Sequence, residues 1–360
     1  MSLACPRRPP PRLRNRGPPD DTGLQPALLR QSRGHRPAER VRTSPPLGEV
    51  RGRPRLHRAV GPGKAFPPLR GAFPNPALAA AALATITERV RLRAGSIVLP
   101  LHDPLTVVED WSFVDNLSGG RVDIACATGW NSNDFVLAPD RFADRRELTL
   151  QGIETLRDLW AGKKLARRNG DGVPVKIMTY PRPVQPEPAL WLTCAANPQN
   201  FAEAGARGLN VLTALLFQQI DDLAPRIGAY REARAAAGLD PASGVVTVML
   251  HTFVGESDEG VRSVIREPFM RYLESSIDLW QNKWSDLGTG PRDKLVAFAF
   301  ERYFRTSAMF GSVERCAGFA RRLHAAGVNE IACLIDFGVA DNMILDALPW
   351  LAKVREGAQS

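Results

Sequence analysis

The sequence predicts a parallel α/β fold, and three observations carry that prediction. Six short apolar runs, near residues 95, 124, 192, 213, 249 and 333, have the composition of buried strands. Stretches with helical spacing of apolar residues separate them. In one block, 84–135, the whole unit is legible as helix end, strand, helix, strand and then a glycine-tryptophan loop. Such a unit implies a parallel sheet, with the loops at the strand C-terminal ends as the place for chemistry.

Each element follows from local signals. Residues 76–90 read as an alanine-rich helix opened by Asn75-Pro76. Val90, Leu92, Ile97, Val98 and Leu99 mark a strand over 92–99. A helix over 104–117 starts at Asp103-Pro104 and carries Leu105, Val108, Trp111, Phe113, Val114 and Leu117. Ser118-Gly119-Gly120 ends it. Val122, Ile124 and Cys126 lie on the strand 121–127. The loop 128–146 is long, which after a strand often signals function. The helix 146–161 presents Leu148, Ile153, Leu156, Leu159 and Trp160 on one side and stops at Gly162. The polar, proline-rich stretch 163–188 reads as an excursion from the core. A strand over 189–195, a helix over 198–206, a strand over 210–216 and a helix over 219–237 follow. After them come the strand 245–254, a long helical region over 257–307, the helix 312–326, the strand 330–337 and a short closing helix. No internal repeat is visible.

Composition splits the chain in two. The formal charge of +9 invites a nucleic-acid or membrane partner until it is located. Residues 1–70 hold 15 Arg and 1 Lys against 4 acidic residues, a net +12, and the remainder carries −3. The same 70 residues hold 14 of the 30 prolines and no apolar run long enough for a strand or an amphipathic helix. Residues 1–72 are therefore read as a disordered basic segment, and 73–355 as the folded body. A nucleic-acid arm would interleave aromatics and lysines, which this segment lacks. Arg, Pro and Gly also dominate when GC-rich DNA is read in a wrong frame or from a wrong start. No secretory leader and no stretch of about 18 apolar residues is present, so a cytoplasmic protein is expected. Cys5, Cys126, Cys194, Cys316 and Cys333 are widely spaced, as buried thiols in a reducing compartment would be.

Several motifs bear on chemistry. Gly95-Ser96 lies inside a strand, where glycine admits a flat ligand or simply marks a bulge. Gly129-Trp130-Asn131 follows a strand and can bracket a planar ring, although a single tryptophan is more often a core plug. Ala195-Ala196-Asn197-Pro198 joins a strand to a helix N-terminus, which favours a phosphate, as any such junction weakly does. His102 at a strand end and His251 within a strand could serve as acid or base, the commoner alternative being a hydrogen-bonded core histidine. Glu109-Asp110 and Asp221-Asp222 diverge on their helices and read as solvated faces or caps. No spacing suggests a metal site, and neither GxGxxG nor GxxxxGK[ST] occurs.

The strings TERVRLRAGSIVLPLHDPLTVVEDWSFVDNLSGGRVDIACATGWNSNDFVLAPDRFADRRE, GIETLRDLW, PRPVQPEPALWLTCAANPQNF, VTVMLHTFVGES and EIACLIDFG resemble bacterial luciferase-like flavin monooxygenases. The likeness extends over about residues 74–350 and is strongest to the subgroup found with nonribosomal peptide and polyketide pathways. It implies a (β/α)8 TIM barrel in which the six strands are the third to the eighth. The first two are apparently replaced by the Pro/Arg-rich segment. At the mouth, reduced FMN supplied by a separate flavin reductase would activate O2 to oxygenate a small or carrier-bound secondary-metabolite intermediate. Trp130 and His251 would be the catalytic candidates. Ser96, Gly129, Ala195, Ala196, Asn197, Thr213 and Leu215 would hold the flavin, with Ala195, Ala196 and Asn197 at its phosphate. Ala196 stands where the family usually has glycine. Family members are often dimers, so the resemblance suggests a homodimer; from spacing and composition no metal, nucleic-acid or membrane partner is expected. A deazaflavin-dependent oxidoreductase and a catalytically impaired flavin-binding remnant are the alternatives on the same barrel. The missing strands imply two unpaired sheet edges and weak stability.

Overall fold

In the computed structural model the described residues are 58–60, 75–216, 218–274 and 291–359. Asn75 caps the first helix, α1 (Pro76–Ala84), its Oδ1 accepting from the amide of Ala77 at 2.9 Å. The strand β2 (Leu92–Val98) follows, preceded in the chain by a three-residue strand β1 (Arg58–Val60). Asp103 caps α2 (Pro104–Ser118), and Gly119, at φ +66, closes it in the left-handed conformation. Then come β3 (Val122–Ala127), α3 (Arg145–Trp160), a hairpin of β4 (Leu165–Arg168) and β5 (Pro174–Ile177), and β6 (Ala189–Thr193). The chain continues with α4 (Pro198–Ala206), β7 (Asn210–Ala214), α5 (Ile220–Ala236), β8 (Val246–Gly255) and α6 (Asp258–Glu274). It ends with α7 (Arg292–Thr306), β9 (Met309–Ser312), α8 (Val313–Ala325), β10 (Glu330–Leu334) and α9 (Asp341–Gln359).

The principal sheet is parallel throughout and runs β1-β2-β3-β6-β7-β8-β10, with β9 pairing the far half of β8. Alternate residues face opposite sides, as strand geometry demands. Leu92, Ala94, Val122, Ile124, Leu190, Leu192, Val211, Val246 and Val248 pack outward against the helices. Ala125, Trp191 and Leu212 cluster on the other face. That face is concave. Arg93 on β2 reaches Glu330 on β10, at the far end of the pairing path, at 2.6 Å. Only a sheet curled towards a barrel brings those strands within one side chain's reach. A second core lies beyond the C-terminal half of β8, built from Phe269, Phe300, Phe304, Phe310 and Phe337.

A layer of paired polar groups floors the barrel at the N-terminal ends of its strands. Buried Arg93 contacts Asp123 at 3.2 Å and Glu330 at 2.6 Å, and its guanidinium lies 3.8 Å from the centre of the Trp191 ring. Trp191 Nε1 donates to Thr247 Oγ1 at 3.1 Å, and Thr247 Oγ1 donates to Glu330 Oε2 at 2.7 Å. Arg91 pairs with Asp123 from outside the layer. Buried charges are tolerable only when paired and hydrogen-bonded in this way.

The structure alters several expectations. A strand, β1, forms beside β2 at 58–60, inside the segment read as strandless; the rest of the expected disordered segment lies outside the described residues. The barrel thus gains a strand ahead of the six foreseen. The excursion 163–188 contains the hairpin β4–β5. Buried Asp115 anchors the end of that excursion by accepting from the amides of Val184 at 2.7 Å and Gln185 at 2.8 Å. The helical region 257–307 comprises α6 and α7, with 275–290 outside the described residues, and β9 follows it. The closing helix spans 19 residues rather than being short. Cys126, Cys194 and Cys316 are buried free thiols; burial pushes Cys126 up to about 12 and the half-buried Cys333 to about 11. No helix among the described residues is long and apolar enough to cross a membrane.

Candidate active site

The candidate site is the concave face at the C-terminal ends of β2, β3, β6, β7 and β8. Its floor is filled by the Arg93 layer, whereas its upper inward positions carry smaller side chains. Following the inward parity upward from Ala125, Trp191, Leu212 and Met249 gives Ala127, Thr193, Ala214 and His251. Apart from His251, these are small. On β2 the register against β3 slips between Gly95 and Ile97, which leaves Ser96 as a bulge; the Gly95–Ser96 peptide is cis. The Ser96 hydroxyl shares a hydrogen bond with the Thr193 hydroxyl, although their strands lie on either side of β3. Both therefore point into the concavity. The mouth thus presents small, hydroxyl-bearing side chains.

Gly129 and Trp130 form the rim above β3. Gly129 sits at φ +78, and a Cβ there would lie 2.7 Å from Phe135 and 2.8 Å from Val98, so any side chain at this position is strained. Its carbonyl accepts from Arg145 Nε at 3.1 Å. Arg145 also donates to the Phe142 carbonyl at 2.6 Å and stacks 4.1 Å from the centre of the Phe142 ring. Phe142 in turn meets Phe135 edge-on at 5.1 Å. The long loop 128–146 is therefore wound around Arg145 and holds Gly129, with half-buried Trp130 beside it, at the mouth.

Between β6 and α4, Ala195 and Asn197 are exposed and Ala196 is half-buried. The side chain of Asn197 caps α4, accepting from the amide of Gln199 at 3.0 Å. The positive end of the α4 dipole therefore faces the rim next to Thr193. Thr213 and Leu215 depart from the expectation that they approach the ligand. They share the outward parity of Val211, and Leu215 is buried in the sheet–helix core. The Thr213 hydroxyl accepts from Gln218 Nε2 at 2.7 Å, and Gln218 also donates to the Ala214 carbonyl at 2.8 Å and accepts from Arg226. These residues shape the β7 end from behind, and Ala214 takes the inward position.

His251 is buried on the inward side of β8. Its Nδ1 lies 3.0 Å from the Tyr303 hydroxyl, and Phe269, Tyr272 and Phe337 contact it edge-on. These contacts are those of a hydrogen-bonded core histidine set among the aromatic rings of the second core. His102 is exposed beyond β2. Thr193, Ala214, Arg145 and Tyr303 were not foreseen. The first two needed only the inward parity of their strands as a signal, whereas Arg145 and Tyr303 act through contacts that sequence spacing does not encode. A separate cavity of about 590 Å³, lined by Asp258, Ser312, Arg315 and Phe319 among others, shares no residue with the mouth. Among the described residues no His, Cys, Asp and Glu group is arranged to hold a metal.

A curled parallel sheet whose C-terminal mouth is lined by small inward residues defines a ligand-binding barrel of the (β/α) class. The profile of the luciferase-like monooxygenases matches residues 56–330, and the chain belongs to that family. It is 25% identical over 279 residues to the oxygenase component of a flavin-dependent trigonelline monooxygenase from Acinetobacter baylyi, covering 74% of this chain and 76% of that one. It is 26% identical over 268 residues to 4-hydroxyprotoasukamycin monooxygenase from Streptomyces nodosus subsp. asukaensis, covering 71% and 70% of the two chains. Among solved structures, monooxygenase RslO1 from Streptomyces bottropensis superposes with a TM-score of 0.68 at 19% identity, covering 84% and 89%.

Proposed function

We propose that this chain is the oxygenase half of a two-component system that uses reduced FMN and O2 to oxygenate a secondary-metabolite intermediate. The observation that carries the reading is the pairing of a small-residue cup with an adjacent helix N-terminus. Ser96, Ala127, Thr193 and Ala214 leave room for a flat ring, and Ala195, Ala196 and Asn197 lie where an anionic tail would end. That pairing suits FMN, which joins a planar ring system to a phosphate. When bound and reduced, the flavin supplies the electrons that activate O2.

The chain's own residues would bind and shield. The hydroxyls of Ser96 and Thr193 would hydrogen-bond the ring edge, Gly129 and Trp130 would border its face, and the start of α4 would meet the phosphate. The aromatic wall around His251 would exclude water from the reacting centre. The name of the trigonelline relative supports a flavin-dependent monooxygenase, and that of the asukamycin relative supports a monooxygenase with a natural-product substrate. The word "component" in the first supports a separate reductase.

Titration of the full chain with reduced FMN and with a reduced deazaflavin, without oxygen, tests the cofactor. The expected result is preferential binding of reduced FMN, followed by O2 consumption on aeration. Preferential deazaflavin binding would make the chain a hydride-transfer oxidoreductase. Binding of neither flavin would leave a non-catalytic barrel.

A further inference from the structure

We propose that Arg145 is a positioning residue that ties the two ends of the loop 128–146 together, and that this tie sets how long a ring ligand stays in the mouth. The ligand half of the proposal rests on the flavin reading, whereas the tie rests on geometry alone. Arg145 is the first residue of α3, a helix anchored in the core by Ile153, Leu156, Leu159 and Trp160. From that base its Nε donates to the Gly129 carbonyl at 3.1 Å, at the start of the loop. Its Nη1 donates to the Phe142 carbonyl at 2.6 Å, near the end of the loop. A guanidinium holds its N–H donors in one rigid plane, so a single side chain fixes both carbonyls relative to each other. The Phe142 ring, 4.1 Å from the guanidinium carbon, steadies that plane from one face.

The tie closes a circuit of contacts across the neck of the loop. Phe142 meets Phe135 edge-on at 5.1 Å, and buried Phe135 occupies the space against Gly129 that a Cβ would need. Gly129, Phe135, Phe142 and Arg145 therefore hold one another in place. The crest outside this circuit is weakly held, since Val136 and Leu137 are 58% and 80% exposed. Arg141 Nη1 adds one further anchor by donating to the Pro100 carbonyl at 3.0 Å, just beyond β2. A segment with few buried contacts opens locally at low cost, so the neck governs how often this loop opens. Gly129 lies two residues beyond β3, so opening of the neck displaces the rim of the mouth first. A rim held from behind is pre-organised for a ligand in front of it.

The experiment compares the full-length wild type with Arg145→Met, which keeps an apolar stem and removes the donors, and with Arg145→Lys. Hydrogen exchange followed by mass spectrometry reads the tie without any ligand. Amides of residues 131–142 should exchange about tenfold faster in Arg145→Met, as for loss of one or two hydrogen bonds, while those of β3 and β7 stay unchanged. Arg145→Lys should fall between, because an ammonium on a flexible stem cannot hold both carbonyls in one plane. Unchanged loop exchange in Arg145→Met would overturn the tie. Should that variant fail to fold, Phe142→Ala removes the stacked ring at the same neck and is expected to speed loop exchange; no change there would equally overturn it. Stopped-flow binding reads the ligand half. Dissociation of FMN and of riboflavin should both quicken about tenfold in Arg145→Met, with association rates within about twofold, and Arg145→Lys should restore part of the loss. A larger loss for FMN than for riboflavin would overturn this half, since it would make Arg145 a phosphate contact. Unchanged dissociation of both would overturn it as well. Absence of flavin binding by the wild type would sink the monooxygenase reading, while the exchange result would still decide the tie.

Discussion

The two ends of the barrel's concave face are built on opposite principles. The floor is filled by a network of paired polar and charged side chains: Arg93, Asp123, Trp191, Thr247 and Glu330. The mouth, one or two inward positions higher on the same strands, is lined by Ser96, Ala127, Thr193 and Ala214. The floor carries stability. It ties β2 to β10, two strands that no ladder joins among the described residues. The mouth carries small side chains where the floor carries large ones. One sheet thus separates what holds it closed from what it can bind, through nothing more than the alternation of residues along each strand.

The largest effect that would break this division is expected at the floor. Arg93→Leu strips half-buried Glu330 of its cation, leaves buried Asp123 with Arg91 alone, and should cost about 3–5 kcal/mol of unfolding free energy. Denaturant melts would show it, and FMN affinity of the folded fraction should stay within about twofold. A stable Arg93→Leu protein would mean that the layer does not bind the open edges together. The rim comes next. Gly129→Ala places a methyl against Phe135 and Val98 at a positive φ, at a cost of about 1–3 kcal/mol. Unlike the floor change, it should also weaken FMN binding, by roughly tenfold, because the loop it displaces borders the mouth.

Ser96→Ala removes one hydroxyl of the Ser96–Thr193 pair. It should reduce FMN affinity several-fold, for about 1 kcal/mol, and leave the melting curve nearly unchanged. The smallest effect is expected at the start of α4. Ala196→Gly should alter the ratio of FMN to riboflavin affinity by only a few-fold, since it changes the approach to the phosphate and not to the ring. An equal change for both ligands would move the phosphate away from this helix.

Legibility in the sequence followed the same division of forces. Strands such as β3 and β8 declare themselves because both faces are buried, so their apolar runs are nearly continuous. The tripeptide Arg58–Val60 and the four residues of β9 are too short to carry a period, and β9 was hidden behind the helix before it. Arg167, Arg168 and Lys176 disguised the β4–β5 hairpin, whose strands lie on the surface and need no apolar face. At the site, Gly129 and Trp130 were readable from their place after a strand. Thr213 and Leu215 were assigned inward, where parity turns them outward, because strand phase cannot be read without a neighbour that fixes it. Thr193 and Ala214 were missed for the same reason. Tyr303 was missed because its partner is on a strand 52 residues earlier.

The central claim is that the small-residue mouth, and not the floor or the outer cavity, takes the flavin. Ala127→Leu tests it most directly, since this half-buried inward position can accept a larger side chain without disturbing the sheet–helix core. FMN titration of the wild type and of this variant, with unfolding measured in parallel, is the decisive comparison. FMN binding should be lost in the variant while its unfolding free energy stays within about 1 kcal/mol of the wild type. Undiminished FMN binding by a folded Ala127→Leu chain would contradict the account.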